Sequence, residues 1–166
     1  RMARVKRIMP AEQEIETSIG SLHYDYLVLA MGAGNNFFGN EAISKFSLPM
    51  KSVGESLGLR NTILNNFEKA LNTTDRAEQE RLMNMVVVGG GPTGVEISGA
   101  LAEMKNYVLP KDYPELDFSR MHIFLVESGS RLLGGMSEIS SKKAVRYLER
   151  LGVTVMLNHA VKDFDN

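Results

Sequence analysis

The glycine-rich run Gly89–Gly94 (Gly-Gly-Gly-Pro-Thr-Gly) constrains the fold of this chain more than any other feature. It directly follows the apolar stretch Met85–Val88 and opens a stretch with helical periodicity, so it predicts a tight strand-to-helix turn. Three glycines have separate physical reasons. Gly89 allows the tight turn, Gly91 lets the backbone approach a phosphate, and Gly94 lets the helix pack closely against a sheet.

The predicted turn has the means to bind a diphosphate. A helix N-terminus presents unpaired N–H groups and the positive end of the helix dipole, so phosphates can be held there without a lysine. Proline suits the first helical position, where its missing N–H had no helical partner. The alternative is a glycine-rich turn without a ligand. The predicted phosphate-binding residues are Gly89, Gly90, Gly91, Pro92, Thr93 and Gly94.

The pattern after residue 84 alternates between strands and helices. The predicted order is strand, helix, strand, helix, strand, which implies an α/β fold with a Rossmann-like parallel sheet and right-handed crossovers. Residues 106–120 contain two prolines and several acids and are predicted to be an inserted loop. The predicted strands are 85–88, 122–126 and 153–157, and the predicted helices are 92–108 and 137–151.

The chain before residue 84 has a different pattern. Alternating side chains around the Gly20-Ser21 turn predict a small antiparallel meander over residues 3–24. The continuous apolar run Tyr26–Ala30 predicts a strand that is buried on both faces, as in a parallel sheet. The other predicted segments are a loop at 35–50, an amphipathic helix at 53–71 and a short helix at 76–82, capped by Thr74-Asp75.

Glu127 ends the second strand of the predicted unit. A carboxylate there accepts hydrogen bonds from an adenine ribose and repels a 2′-phosphate, which favours NAD over NADP. Its separation from Gly94 exceeds the roughly 20 residues usual for this motif, and the insertion at 106–120 accounts for the excess. Arg131 argues the other way, because an arginine nearby can receive a 2′-phosphate. The predicted ribose-site residues are Glu127, Ser128 and Arg131, and a solvated strand-end acid is the alternative for Glu127.

Glu96 lies two residues beyond Gly94, early in the predicted helix. An acid in the first turn of a helix is favourable by about 0.3–1 kcal/mol, which is one sufficient reason for its presence. The other is a catalytic position beside a nicotinamide ring, where the carboxylate orients the ring or relays a proton. The residue and its spacing leave both interpretations open.

Composition excludes several other chemistries within this chain. It contains no cysteine, so disulfides, thiolate metal sites and cysteine catalysis are excluded. The three histidines are far apart in the sequence and predict no metal site. A formal net charge of −1 provides no field that attracts nucleic acid. No apolar run approaches the roughly 20 residues of a membrane-spanning helix.

The order of the motifs resembles FAD-dependent pyridine-nucleotide oxidoreductases of the glutathione-reductase-like fold. The motifs are, in order, the run Tyr24–Gly32, a linker helix, GGGPTGVE and LVES. Within that family the chain is most similar to type II NADH dehydrogenases. The similarity rests on Gly-Pro-Thr-Gly-Val-Glu, the insertion at 106–120 and the stretch Ala33–Gly39. The resemblance implies a flavoprotein that uses NAD(H) and FAD, passing a hydride from NADH to FAD and then electrons to a quinone.

The resemblance also implies roles for particular residues. Glu96 matches a glutamate near the contact between nicotinamide and flavin. Gly32 matches a glycine that lets the backbone pass the flavin, and Met31 stands where the family has a threonine, so a hydroxyl contact is lost there.

The same resemblance implies two incomplete domains. Residues 1–50 are predicted to be the C-terminal remnant of the first FAD-domain segment with a linker. Residues 51–166 are predicted to be the NAD(H)-binding domain without its final strands. We therefore expect this chain alone to bind FAD weakly and to have no turnover. We expect the parent protein to be cytoplasmic, peripheral on the inner face of the cytoplasmic membrane, with homo-oligomerisation left open.

Two alternatives to the quinone reductase remain at this point. The same two-dinucleotide fold can serve another electron acceptor, such as a disulfide, oxygen or a ferredoxin. A non-catalytic NAD-binding module that senses the NADH/NAD ratio or binds a partner is the other alternative. The flavin-domain-like stretch at 26–32 argues against such a module, which has no need of it.

Overall fold

The structure, a computed structural model, describes residues 2–37 and 39–164. Phe38, part of the stretch used for the resemblance, lies outside the described residues. The chain forms two compact units, one ending at Gly34 and the other beginning at Asn35. The first contains a three-stranded antiparallel sheet and the second a three-stranded parallel sheet with flanking helices, which confirms the predicted α/β fold class. The assignment of residues 1–50 and 51–166 to FAD and NAD domains stays a prediction.

The first unit contains the predicted meander. Its strands are β1 (Val5–Met9), β2 (Glu14–Thr17) and β3 (Gly20–His23), paired antiparallel in the order β1-β2-β3. The turn between β2 and β3 is closed by the Thr17 hydroxyl, which donates to the Gly20 carbonyl oxygen at 2.6 Å. Gly20 has φ 115°, a conformation that favours glycine.

The strand predicted at Tyr26–Ala30 does not form. Its side chains are exposed rather than buried, with Tyr26 at 94% and Val28 at 85% of full exposure. The prediction was wrong because a buried parallel strand needs hydrogen-bonded neighbours. No strand in the described part of the chain pairs with this segment.

Three helices begin the second unit: α1 (Glu41–Phe46), α2 (Val53–Leu71) and α3 (Arg76–Met83). The helices predicted at 53–71 and 76–82 are confirmed. The loop predicted at 35–50 was wrong in part, because α1 lies within it. Its start has an ordinary helical signal, since the Asn40 side chain accepts a hydrogen bond from the Ile43 N–H at 2.9 Å.

The parallel sheet consists of β4 (Met85–Val88), β5 (Ile123–Glu127) and β6 (Val153–Leu157), in the order β4-β5-β6. Helix α4 (Pro92–Glu103) connects towards β5, and helix α6 (Glu138–Arg150) lies between β5 and β6 along the chain. The predicted strand-helix-strand-helix-strand order is confirmed. Because all strands run the same way, the ends of β4 and β5 meet at one edge of the sheet.

The insertion predicted to be a loop is largely helical. A π-helical segment (Met104–Val108) continues α4, followed by α5 (Leu109–Asp112) and a 3₁₀ turn (Phe118–Arg120). The prediction was wrong because the segment packs against the core. Its buried residues are Leu109, Tyr113, Leu116, Phe118 and Met121.

Two aromatic rings of the insertion pack on Phe67 of α2. The Tyr113 and Phe118 rings lie 5.5 and 5.8 Å from the Phe67 ring, measured between centroids. The Tyr113 hydroxyl also donates to a carboxylate oxygen of Glu68 at 3.1 Å. Within the described ranges, no helix is long and apolar enough to cross a membrane. Nor do these residues include a group of three or more histidine and acidic side chains placed to hold a metal.

Candidate functional site

The candidate site is the turn between β4 and α4. Gly89 has φ 106°, a left-handed conformation that favours glycine, and its N–H donates to the Val126 carbonyl oxygen at 2.8 Å. The backbone therefore leaves the sheet and enters the helix within Gly89–Gly91. This is the tight strand-to-helix turn that the glycine spacing predicts.

Gly94 lies where the helix and the preceding turn come closest. A Cβ atom at this position would lie 1.8 Å from the Gly89 carbonyl oxygen, which is far inside any allowed contact. The close approach of α4 therefore requires glycine here. This geometry matches the packing reason given for Gly94 from the sequence.

Gly91 differs from its neighbours, because the space around it is open. It is the N-cap of α4 in an extended conformation, with no side chain capping the helix. A Cβ atom at Gly91 would meet no protein atom within 4 Å. The first helical hydrogen bond runs from the Val95 N–H to the Gly91 carbonyl oxygen at 3.0 Å. The N–H groups of Gly91, Thr93 and Gly94 thus precede the first helical hydrogen bond and lack intrahelical partners; Gly91 and Thr93 are exposed, whereas Gly94 is buried.

The Glu127 carboxylate is held by backbone groups on both sides of the site. One oxygen accepts from the Gly90 N–H at 2.6 Å, and the other accepts from the Gly129 N–H at 2.5 Å. The Ser128 hydroxyl adds a longer contact of 3.3 Å to the second oxygen. The Gly129 amide, followed by the Gly90 amide, lowers the pKa of Glu127 below its ordinary value, against the opposing effect of burial.

An ionised carboxylate has about four acceptor positions, so these contacts leave capacity for a further donor. The charge and the remaining acceptor position suit a ribose hydroxyl. The Arg131 guanidinium, by contrast, donates to the Gly134 carbonyl oxygen of its own loop at 2.5 Å and is exposed. This contact does not test the predicted role of Arg131 in the ribose site.

Two other predicted residues are placed differently. Glu96 is exposed on α4 and makes no hydrogen bond or ion pair within the part of the chain that the structure describes. Gly32 lies in the first compact unit with φ 73° and open space where a side chain would stand. The catalytic role of Glu96 and the flavin role of Gly32 stay predictions.

Sequence reasoning did not single out Leu132 and Leu133, which also contact the turn. Leu132 is fully buried, and the Leu133 N–H donates to the Gly90 carbonyl oxygen at 2.7 Å. The only signal in the sequence is an apolar pair between Arg131 and Gly134. An apolar pair of this kind predicts only a short core contact. It does not indicate a backbone contact to a turn some 40 residues earlier.

A parallel sheet with a glycine turn at a helix N-terminus, and an acid ending the next strand, is the arrangement of Rossmann-like dinucleotide-binding units. The family follows from comparison with known proteins. A family model described as pyridine nucleotide-disulphide oxidoreductase matches residues 2–166, and the chain belongs to that family. The resemblance inferred from the motifs is confirmed at this level.

Two relatives from Mycobacterium tuberculosis are named type II NADH:quinone oxidoreductases. One, Ndh, is 35% identical over 142 residues, which cover 86% of this chain and 31% of the relative. The other, NdhA, is 38% identical over 142 residues, covering 86% of this chain and 30% of the relative. These names confirm the more specific resemblance to type II NADH dehydrogenases.

A solved structure of NDH2 from Plasmodium falciparum in complex with NADH has the same fold. The TM-score is 0.79 at 27% sequence identity, and the match covers 98% of this chain and 34% of that protein. The chain therefore spans about a third of the length of the proteins it matches.

Proposed function

We propose that this chain is the NADH-binding portion of a flavin-dependent NADH:quinone oxidoreductase. One observation carries the proposal. An uncapped helix N-terminus opens at Gly91, and the backbone-held carboxylate of Glu127 lies against the adjoining Gly90. A diphosphate suits the first feature and an adenine ribose suits the second. The names of the relatives and the NADH complex of the similar structure support this choice of ligand.

Different residues at this site bind different parts of NADH. The main-chain N–H groups from Gly91 to Gly94 receive the diphosphate, and Pro92 costs nothing because it stands at the first helical position. Glu127 accepts from the ribose hydroxyls, with Ser128 and Arg131 beside them in the same loop. Gly89, Gly90 and Gly94 contribute by allowing the turn itself.

The chain contributes positioning rather than redox chemistry. Bound FAD in the complete protein would supply the redox chemistry, as the acceptor of a hydride from NADH and the source of electrons for a quinone. Glu96, on the exposed side of α4, is proposed to orient the nicotinamide ring, and Gly32 to let the first unit's backbone pass the flavin. The quinone and a peripheral place on the cytoplasmic membrane belong to the proposal for the complete protein.

The proposal favours NADH over NADPH. The lowered pKa of Glu127 keeps its carboxylate ionised near neutral pH, and a 2′-phosphate would meet that charge directly. Arg131 is the group that could offset the repulsion; one of its N–H groups donates to the Gly134 carbonyl oxygen of its own loop. The predicted preference is therefore for the cofactor without the extra phosphate.

Gly91→Ala tests the diphosphate site. The added Cβ meets no protein atom within 4 Å, and φ at Gly91 is −72°, so the fold tolerates alanine. We expect NADH affinity, measured by calorimetric titration, to fall about tenfold or more because the methyl group blocks the phosphate. The midpoint of urea unfolding should stay unchanged. Gly135→Ala, which also adds a Cβ in open space, should leave binding intact. Unchanged NADH binding by Gly91→Ala would contradict the proposal.

Glu127→Ala tests the cofactor preference in the same titration. Wild-type protein should bind NADH more tightly than NADPH, and the variant should lose much of that difference. Equal or tighter NADPH binding by the wild type would overturn the assignment of NADH.

A further inference from the structure

Gly90, the middle glycine of the turn, is held by two hydrogen bonds and by close packing. Its N–H donates to the Glu127 carboxylate at 2.6 Å, and its carbonyl oxygen accepts from the Leu133 N–H at 2.7 Å. Glu127 is the last residue of β5, and Leu133 lies in the loop that follows it. The phosphate-binding argument gives reasons for Gly89, Gly91 and Gly94 but none for Gly90, so these contacts need their own explanation.

Space, rather than backbone conformation, favours glycine at this position. Gly90 has no left-handed φ, so alanine could adopt its backbone. A Cβ atom there would nevertheless lie 2.5 Å from the Leu132 Cδ2 and 3.0 Å from the Glu127 Cγ. Leu132 is fully buried, so its side chain or the turn has to shift to admit a methyl group. The turn and the loop are thus packed tightly as well as hydrogen-bonded.

Leu133 adopts a backbone conformation that is costly for leucine. Its φ is 52°, in the left-handed region, which a bulky residue visits only when its surroundings hold it there. Two hydrogen bonds do so. The Leu133 N–H reaches Gly90, and the Leu133 carbonyl oxygen accepts from the Met136 N–H at 2.7 Å. The strained residue is the one that closes the contact with the turn.

We propose that Leu132 and Leu133 are positioning residues for the dinucleotide. Together with Glu127 and Gly90 they form a latch that fixes the glycine turn in its binding shape before any ligand arrives. This inference rests on the proposed function, because the shape matters only if a dinucleotide binds. Its physical basis is preorganisation: a turn that is already ordered loses less conformational freedom on binding.

A residue of the latch should affect nucleotide affinity differently from a residue that contacts the ligand directly. Leu132 acts through the shape of the turn, so its loss should weaken NADH and NADPH by the same factor. Glu127 also faces the ribose, so its substitution should change the ratio of the two affinities. The ratio of NADH to NADPH affinity therefore separates a positioning residue from a contact residue.

The experiment combines a rescue with a readout in the ligand-free chain. We expect Gly90→Ala to weaken NADH binding about tenfold or more. In Gly90→Ala/Leu132→Ala the nearest obstruction is gone, and part of the affinity should return. Gly90→Ala/Leu148→Ala removes an equally buried leucine that lies elsewhere, beneath Gly99, and should give no rescue. Rescue that is absent, or equal in both double variants, would overturn the latch.

Amide hydrogen exchange without nucleotide tests the latch even if a variant fails to fold. In wild-type protein the Gly90 and Leu133 amides should exchange slowly, like the Gly89 amide, which is bonded to Val126. Fast exchange at Gly90 and Leu133 beside a protected Gly89 would overturn the latch, whether or not NADH binds. Slow exchange in a protein that binds neither NADH nor NADPH would instead overturn the proposed function.

Discussion

The glycine turn at 89–94 and the insertion at 104–121 both interrupt regular structure in the second unit, and they acquire their shapes by opposite means. The turn is shaped by side chains that are missing, since a Cβ atom at Gly94 would lie 1.8 Å from a backbone oxygen. The insertion is shaped by side chains that are buried, since Tyr113 and Phe118 pack on Phe67.

This difference determines what a change in sequence does to each region. At Gly94 in the turn, one added methyl group collides with the backbone of Gly89. In the insertion, which is largely helical, the buried side chains contribute stabilising free energy by removing apolar area from water. The turn should therefore be sensitive to additions and the insertion to deletions.

Gly94→Ala should have the largest effect. The Cβ atom collides with the Gly89 carbonyl oxygen, so α4 has to move away from the turn that it packs against. We expect a loss of about 3 kcal/mol or more in the free energy of unfolding, at the upper end for an overpacked site. Urea denaturation followed by circular dichroism measures it. Gly99→Ala in the same helix meets only an ordinary contact, 3.9 Å from Leu148, and should be neutral or stabilising. Similar losses of unfolding free energy in Gly94→Ala and Gly99→Ala would show that the close approach at Gly94 has no special effect.

Phe118→Ala should have the next largest effect. The ring is buried and packs edge-on against Phe67, so its removal leaves a cavity between the insertion and α2. Phenylalanine-to-alanine changes in cores cost about 3–5 kcal/mol, and we expect a loss at the low end, about 3 kcal/mol, because Phe118 lies close to the surface. Tyr107→Ala in the same insertion removes an exposed ring and should stay within about 0.5 kcal/mol of wild type. An equally small effect of Phe118→Ala would mean that the insertion is a loop resting on the surface.

The two regions also differ in how far they can be predicted from the sequence. The turn is predictable because its determinants are local: the glycines act within six residues, and an apolar strand and a helical period flank them. The structure of the insertion is not predictable from its sequence. Its prolines and acids predict a loop, whereas its structure depends on contacts with Phe67. The strand predicted at Tyr26–Ala30 fails for a related reason, since an apolar run becomes a strand only beside a partner.

The candidate site shows the same limit at the scale of single residues. The positions of Glu127 and Gly91 follow from the motif and from the end of β5. The Gly90 and Gly129 amides that hold the Glu127 carboxylate do not, because they depend on how two loops meet. The left-handed backbone of Leu133 has no signal in the sequence, since leucine rarely adopts it.

Acid pH should weaken the contact between Glu127 and the glycine turn. The folded protein lowers the pKa of Glu127 below its ordinary value of 4.5, so its contribution to stability is complete above pH 4.5. The contribution is lost as the pH falls through the lower, folded value. Comparing the free energy of unfolding of wild type and Glu127→Gln across this range isolates it. The gap between the two proteins should narrow as the pH falls.

The comparison with Glu127→Gln is needed because other acids titrate in the same range. Hydrogen bonds from neighbouring groups also lower the pKa values of Glu55, Glu78 and Asp117. These groups are present in both proteins and cancel in the difference. A glutamine offers a single acceptor oxygen and turns an N–H₂ group toward a backbone amide, so it cannot serve both Gly90 and Gly129. A gap that stays constant with pH would assign no role to the charge of Glu127.

Tyr113→Phe should have the smallest effect, because it keeps the ring and removes only the hydroxyl. The ring still packs on Phe67, while the 3.1 Å hydrogen bond to Glu68 is lost. Glu68 is exposed, so water replaces the hydroxyl, and we expect a loss of about 1 kcal/mol or less. A double-mutant cycle with Glu68→Ala gives the energy of the pair alone. If the coupling is near zero and Tyr113→Phe matches wild type, the hydrogen bond between Tyr113 and Glu68 does not help to hold the insertion. A coupling that exceeds the loss from Phe118→Ala would mean that a polar contact holds it instead.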